Sequence, residues 1–170
     1  MTRPLRGRAT AIAYALFYRL PQRLRLRLVR LAAPTYTIGA VTLVRDAGAP
    51  APGRLLLLRQ PPNRGWSLPG GLLGYRERPV EGARRELHEE TGILVEPEAL
   101  RPAIPNAIVH SDGRWVDLVF EVDVPAAAVT LSVDGAEVFE AAWHPLDDLP
   151  LLTTATARLL AHYGIGPAAS

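Results

Sequence analysis

The chain has 170 residues, of which 48% are hydrophobic and 21% charged, values typical of one globular domain with a sizeable core. It contains no cysteine, which excludes disulfide bonds, thiolate nucleophiles and cysteine-ligated zinc. The net charge is +2, but eight arginines and no acid fall within residues 1–30, so the basic charge belongs to one segment. We therefore expect no nucleic-acid partner.

Residues 1–33 predict a basic amphipathic helical extension. Apolar residues recur every four positions on both sides of Pro21, at Ile12, Leu16, Leu20, Leu24 and Leu28. The alternation over 24–28 is also compatible with a strand. We expect these helices to pack on the sheet or on a second copy of the chain, as in a homodimer, because the apolar stripe is continuous. Binding to an anionic membrane surface is the alternative.

The apolar stretch over 9–18 superficially resembles a signal peptide. It runs directly into further arginines, and the small residues that could form a cleavage site lie far beyond it. No apolar run approaches the roughly 18 residues that span a bilayer. We therefore expect a cytoplasmic protein.

Residues 34–165 predict a single α/β domain, followed by a loose tail at 166–170. The predicted strands are 35–45, 54–60, 101–110, 114–124 and 138–144, and the predicted helices are 79–91 and 152–163. Residues 111–113 predict a hairpin turn, and Gly39 predicts a bulge or a close approach of another group. This order of elements favours a mixed β-sheet in an α/β sandwich over a doubly wound sheet.

The helix predicted at 79–91 crowds three carboxylates onto one face, because Glu86, Glu89 and Glu90 stand at i, i+3 and i+4. Like charges at this spacing repel one another. A cation is therefore expected among them, and a hard divalent ion suits oxygen ligands. The opposite face carries an apolar stripe of Val80, Ala83 and Leu87.

Residues 71–93 fill all the defined positions of the pattern G-x5-E-x7-R-E-U-x-E-E-x-G-U, where U is aliphatic, and a chance match is on the order of 10⁻⁷. The defined residues are Gly71, Glu77, Arg85, Glu86, Leu87, Glu89, Glu90, Gly92 and Ile93. This stretch resembles the Nudix box, and its flanks also resemble those of the family. The resemblance implies a Nudix-type α/β/α sandwich that hydrolyses nucleoside diphosphates linked to another moiety, with Mg²⁺ (or Mn²⁺) as cofactor.

The resemblance also implies a metal site. The implied ligands are Glu86, Glu89, Glu90, the backbone carbonyl of Gly70 and, from a loop near a later strand, Glu137, with Glu140 as the alternative. By resemblance Glu89 and Glu90 are ligands, and Glu86 is a ligand or the base that takes the proton of the attacking water; the sequence does not divide these roles. Arg85 is interpreted as an orienting residue whose fork holds Glu77 or Glu89.

The box leaves the substrate open, since the family's usual subgroup markers are missing downstream of it. We expect substrate contacts from Arg59, Arg64 and Trp66, which lie on or beside the strand before the box. Arg76 stands where family loops often carry glycine. Either Gly74 adopts the left-handed turn conformation instead, which we favour, or Arg76 contacts a substrate phosphate.

Two further residues have competing interpretations. Trp115 could stack on a base, although a tryptophan in a strand is more often part of the core. His110 could assist the leaving group, although a lone surface histidine is the more common case. For the whole chain, the alternative to an enzyme is a non-catalytic nucleotide-binding or regulatory Nudix module. Such modules typically lack box glutamates, and all of them are present here.

Overall fold

A computed structural model describes residues 5–62, 64–111 and 113–166. The predictions for positions 63 and 112 and for most of the tail at 166–170 lie outside the described residues. The described residues form two compact units, divided between Tyr36 and Thr37. No helix among them has the length and apolar character needed to cross a membrane.

The first unit consists of two helices, α1 (Leu5–Arg19) and α2 (Gln22–Ala32). The helical prediction is confirmed, and the strand alternative is wrong because Pro21 caps the N-terminus of α2 and its carbonyl accepts from the N–H groups of the first turn. Within α2 no side chain is buried. The guanidinium of Arg25 lies 5.7 Å from the ring centroid of Tyr18.

The second unit is built on one mixed sheet. Its described strands are β1 (Thr37–Asp46), β2 (Arg54–Arg59), β3 (Trp66–Ser67), β4 (Gly70–Leu72), β5 (Arg101–Val109), β6 (Trp115–Val124) and β7 (Glu140–Pro145). The order is β3-β2-β1-β6-β5, with β4 also paired to β1 and β7 to β2. Only the β1–β6 pair is parallel among these strand pairs. The long central strand β1 therefore contacts β4 and β2 on one side and β6 on the other.

Two helices cover the sheet, α3 (Pro79–Thr91) and α4 (Thr154–Ala161). The bounds of α3 match the prediction, and the other predicted elements agree to within two residues. The fourth helix is shorter than predicted because the side chain of Thr153 accepts the N–H of Thr156 at 3.2 Å and caps its N-terminus.

The core occupies both faces of the sheet. On one face α3 packs Ala83 and Leu87 against a cluster that includes Val44, Leu56 and Phe120. On the other face α4 packs Leu159 and Leu160 against a cluster that includes Leu43, Leu55 and Val119. Consecutive strand residues point to opposite faces, so these neighbours along β1, β2 and β6 belong to different clusters. The predicted α/β/α sandwich with a mixed sheet is confirmed.

Candidate active site

Helix α3 presents its acidic face to the end of β4. Pro79 occupies the first turn, and Gly92 ends the helix in the left-handed conformation (φ 74°) with its N–H donating to the carbonyl of His88 at 2.8 Å. Ala83 and Leu87 are fully buried against the sheet. Their burial fixes the rotation of the helix and thereby the direction in which the glutamates point.

A single guanidinium holds three carboxylates together. Arg85 donates through Nε and Nη2 to both oxygens of Glu77, at 2.8 and 3.0 Å. Its Nη1 donates to Glu86 at 2.8 Å and to Glu89 at 2.9 Å. The orienting contact was predicted for Glu77 or Glu89, and Arg85 makes both. Hydrogen bonds from Arg85 and from the N–H of Gly74 lower the pKa of Glu77 from 4.5 to about 2.

Glu90 is the buried member of the cluster, with 8% of its surface exposed. Its two oxygens accept from the backbone N–H of Gly70 at 2.8 Å and from the amide of Gln60 at 2.6 Å. The hydroxyl of Ser67 in turn donates to the Gln60 carbonyl at 2.9 Å. Burial, together with the negative charges of Glu86 and Glu137, raises the pKa of Glu90 to about 7.

Gly71 leaves space for one of these carboxylates. A Cβ at position 71 would lie 2.5 Å from the Glu86 carboxyl group, so the glycine lets that carboxylate approach β4 closely. Glu86 and Glu90 thus meet at Gly70–Gly71. No three acidic or histidine side chains of the described residues already form a metal-binding cluster. The carboxylate oxygens suit a hard divalent cation. Protein donors bind both oxygens of Glu90 and one oxygen each of Glu86 and Glu89.

The two candidate ligands near β7 differ in their surroundings. Glu137 is exposed and lies just before β7, where its N–H donates to Asp134 at 3.0 Å. Its charge acts on Glu90. Glu140 instead forms an ion pair with Arg59 at 2.8 Å. Glu140 is thus already paired with an arginine, whereas the charge of Glu137 acts on the glutamate cluster, so Glu137 is the better candidate ligand.

The predicted substrate-binding residues lie in two places. Arg59 and Trp66 lie together, with the guanidinium 6.0 Å from the indole centroid. Trp66 packs edge-on against His144, with ring centroids 4.4 Å apart, and contacts the second core cluster. Arg64 is exposed beside a hollow of about 320 Å³ that Gln60 and Ser67 also line.

The prediction that Gly74 takes the left-handed turn conformation is wrong. Arg76 itself adopts it, with φ 62°. The N–H of Glu77 donates to the carbonyl of Gly74 at 3.1 Å and closes a four-residue turn. Position 76 is the third residue of that turn, where a positive φ is needed in the type II geometry. The arginine guanidinium lies 5.0 Å from the ring centroid of Tyr75.

A cleft of about 540 Å³ begins at Gly70 and Gly71, and Trp115 and Asp117 line it as well. The indole N–H of Trp115 donates to one oxygen of Asp117 at 2.6 Å. The other oxygen lies 2.7 Å from Nε2 of His110. Trp115 is 38% exposed, so the core interpretation is wrong, and His110 is a nearly buried partner of Asp117 rather than a lone surface residue.

Sequence reasoning missed Asp117 and Gln60. The spacing of Trp115 and Asp117, two residues apart on a strand, could have placed both on one face. No local pattern identifies Gln60, which meets Glu90 from 30 residues away.

Comparison with known proteins identifies the family of this chain. A family model described as the NUDIX domain matches residues 34–163. A MutT-like protein from Streptomyces ambofaciens is 48% identical over 54 residues, covering 32% of this chain and 35% of that protein. The human 8-oxo-dGDP phosphatase NUDT18 is 34% identical over 86 residues, covering 50% of this chain and 25% of that protein.

The crystal structure of a MutT NUDIX hydrolase from Burkholderia pseudomallei has the same fold. It superposes with a TM-score of 0.59 at 27% identity and covers 75% of this chain and 98% of that one. The chain therefore belongs to the Nudix family. It spans only 35% and 25% of the length of the two curated relatives, so the similarity to them concerns the Nudix domain.

Proposed function

We propose that this chain is a divalent-cation-dependent hydrolase that cleaves a pyrophosphate bond in a nucleoside diphosphate derivative, with water attacking phosphorus. The observation that carries the proposal is the convergence of Glu86 and Glu90 on Gly70–Gly71 within a complete Nudix box. Its relatives include proteins named as hydrolases and as a nucleoside diphosphate phosphatase, which supports this reaction class.

The carboxylates of α3 are the proposed ligands of Mg²⁺ or Mn²⁺. Glu86, Glu89 and Glu90 would hold the cation, with the Gly70 carbonyl and Glu137 as further ligands. Glu90 supports this assignment through its surroundings, because it is buried and the negative charges of Glu86 and Glu137 act on it. A bound cation would neutralise the charge of the diphosphate so that water can approach phosphorus.

The other proposed roles are those of the general base, the orienting arginine and the phosphate contact. Whichever helix glutamate is not fully used as a ligand takes the proton from the attacking water. Arg85 keeps Glu86 and Glu89 in fixed positions through Nη1 and is itself anchored by Glu77. Arg64 is exposed beside the site and is the proposed contact to a substrate phosphate.

The test is a panel of nucleoside diphosphate derivatives assayed with Mg²⁺ or Mn²⁺, with released phosphate and mononucleotide measured. Glu89→Gln and Glu90→Gln should each lower kcat by about 10²-fold or more. EDTA should abolish turnover, and Mg²⁺ should restore it. Glu81→Gln is the matched control, because Glu81 lies on the same helix and forms a partly exposed i, i+3 ion pair with Arg84 at 3.4 Å.

The outcomes separate the two classes of function. Unchanged turnover in Glu90→Gln would remove Glu90 from the metal site. Binding of nucleotides without turnover of any substrate on the panel would instead support the non-catalytic, regulatory alternative. Product analysis in ¹⁸O-labelled water identifies the phosphorus atom that is attacked.

A further inference from the structure

The cleft beyond Gly70 ends at a hydrogen-bonded group of three side chains, Trp115, Asp117 and His110. None of them belongs to the Nudix box or to the predicted metal site. Asp117 is a carboxylate with only 7% of its surface exposed, and both of its oxygens have a partner. Burying an acidic side chain costs free energy unless its oxygens accept hydrogen bonds. Trp115 and His110 supply these partners, so the three side chains form one hydrogen-bonded unit.

Gly39 on the neighbouring strand β1 makes room for the Asp117 carboxylate. Gly39 of β1 lies opposite Asp117 of β6 in the parallel register. A Cβ at position 39 would lie 2.6 Å from the Asp117 oxygen that accepts the indole N–H. The absence of that side chain therefore leaves the space in which the carboxylate sits. The predicted close approach at Gly39 is this contact.

The arrangement fixes Trp115 and leaves its ring face available. The indole N–H is the polar group of the side chain, and Asp117 already satisfies it at 2.6 Å. Trp115 is 38% exposed and lines the cleft, and apart from the bonded N–H its ring can offer a ligand only aromatic carbon. A rigid, exposed tryptophan face is suited to stacking against a flat, aromatic ligand.

We propose that Trp115 stacks on the nucleobase of the substrate, with Asp117, His110 and Gly39 acting as positioning residues for its ring. The proposal rests on the function proposed above, in that the substrate is a nucleoside diphosphate derivative. The cleft is lined by Gly70, whose N–H binds Glu90, and by Gln60, whose amide binds the same carboxylate. The glutamates do not line the cleft themselves, but Gly70, Gly71 and Gln60 line it and lie against Glu86 and Glu90. A diphosphate bound at the glutamates would therefore lie at this edge of the cleft while the base reaches Trp115.

The test compares ligands that differ only in the nucleoside. The α,β-methylene analogues of ADP, GDP and CDP cannot be cleaved at the bridge, and methylenediphosphonate keeps the phosphonates without a base. Calorimetric titration of the full chain with Mg²⁺ should give tighter binding for the nucleoside analogues. Trp115→Ala should weaken their binding about tenfold or more and leave methylenediphosphonate unchanged, because stacking acts only on the base.

Graded variants separate stacking from folding. Trp115→Phe keeps an aromatic face and should lose much less affinity than Trp115→Ala. Asp117→Asn keeps an oxygen to accept the indole N–H and should bind nearly as the wild type does, whereas Asp117→Leu should resemble Trp115→Ala. Trp143→Phe is the matched control, since Trp143 packs against the first core cluster and does not line the cleft.

Three results would overturn the proposal. The wild type could bind the nucleoside analogues no more tightly than methylenediphosphonate. Trp115→Ala could weaken both kinds of ligand equally, which would indicate a structural role. Asp117→Asn could bind as poorly as Asp117→Leu, which would remove the positioning role. Because these measurements need no turnover, they stay informative if the proposed hydrolysis fails.

Discussion

Removing the charge of Glu77 should destabilise the protein in a pH-dependent way. Both of its oxygens accept hydrogen bonds from Arg85, and one also accepts the Gly74 N–H at 2.7 Å. Glu77→Gln keeps the size of the side chain and removes its charge. The change therefore tests whether this ion pair stabilises the fold before any cation binds.

The magnitude follows from the pKa. A fall from 4.5 to about 2 corresponds to ~3 kcal/mol at full strength. About a third of the Arg85 side chain is exposed, and solvent screening reduces the figure to about 1–2 kcal/mol. Because the folded-state pKa is depressed, this stability is present above pH 4.5 and is lost as the pH falls through 2.

Urea unfolding followed by far-UV circular dichroism, in EDTA and at several pH values from 7 to 2, measures the effect. The free energy of unfolding of Glu77→Gln should lie about 1–2 kcal/mol below the wild type at pH 7, and the two should converge toward pH 2. Glu81→Gln removes a partly exposed ion pair at 3.4 Å and should cost less than about 0.5 kcal/mol. A deficit that is absent, or that stays constant over this pH range, would refute the reasoning.

Further changes test the fold. Arg76→Gly should raise the free energy of unfolding by up to about 1 kcal/mol, because glycine tolerates φ 62°. Arg84→Gly, inside helix α3, should lower it by about 1 kcal/mol, and a loss in both variants would contradict the backbone argument. Leu87→Ala should cost about 2–5 kcal/mol in chemical denaturation, and Leu94→Ala, at an exposed position, under about 0.5; equal costs would count against the assigned core. Deleting residues 1–33 should lower the thermal midpoint of the domain or leave it monomeric, as expected if the two helices pack on the sheet or on a second copy. Normal folding with lost binding to anionic liposomes would instead support the membrane alternative.

Local signals were sufficient to predict helix α3. Pro79 and Gly92 mark its two ends, and the positions of Ala83 and Leu87 determine which face is buried. Each of these features depends on residues close together in the sequence. The Nudix box likewise lies within one continuous stretch of sequence, so the contact between Arg85 and Glu77 could be predicted.

Contacts between distant strands could not be predicted in the same way. The space for Asp117 exists because β1 and β6 are parallel with Gly39 directly opposite it, a register that no short-range pattern specifies. Burial of Glu90 similarly depends on Gln60, which comes from another strand end. The error at Arg76 had a different origin: glycine was expected to take the strained position, while the hydrogen bond that closes the turn determines which residue takes it.

The central strand β1 fixes the distance between β4, which lies beside the glutamates, and β6, which carries Trp115. Its residues 39–41 pair with Gly70–Leu72 on one side and with Asp117–Val119 on the other. Two strand spacings, about 10 Å, therefore separate the strand beside the glutamates from the strand that carries Trp115. A sheet with a packed helix on each face cannot stretch to fit a longer ligand. If the base stacks on Trp115, this fixed distance would select substrates by the number of bonds between the base and the phosphorus that is attacked.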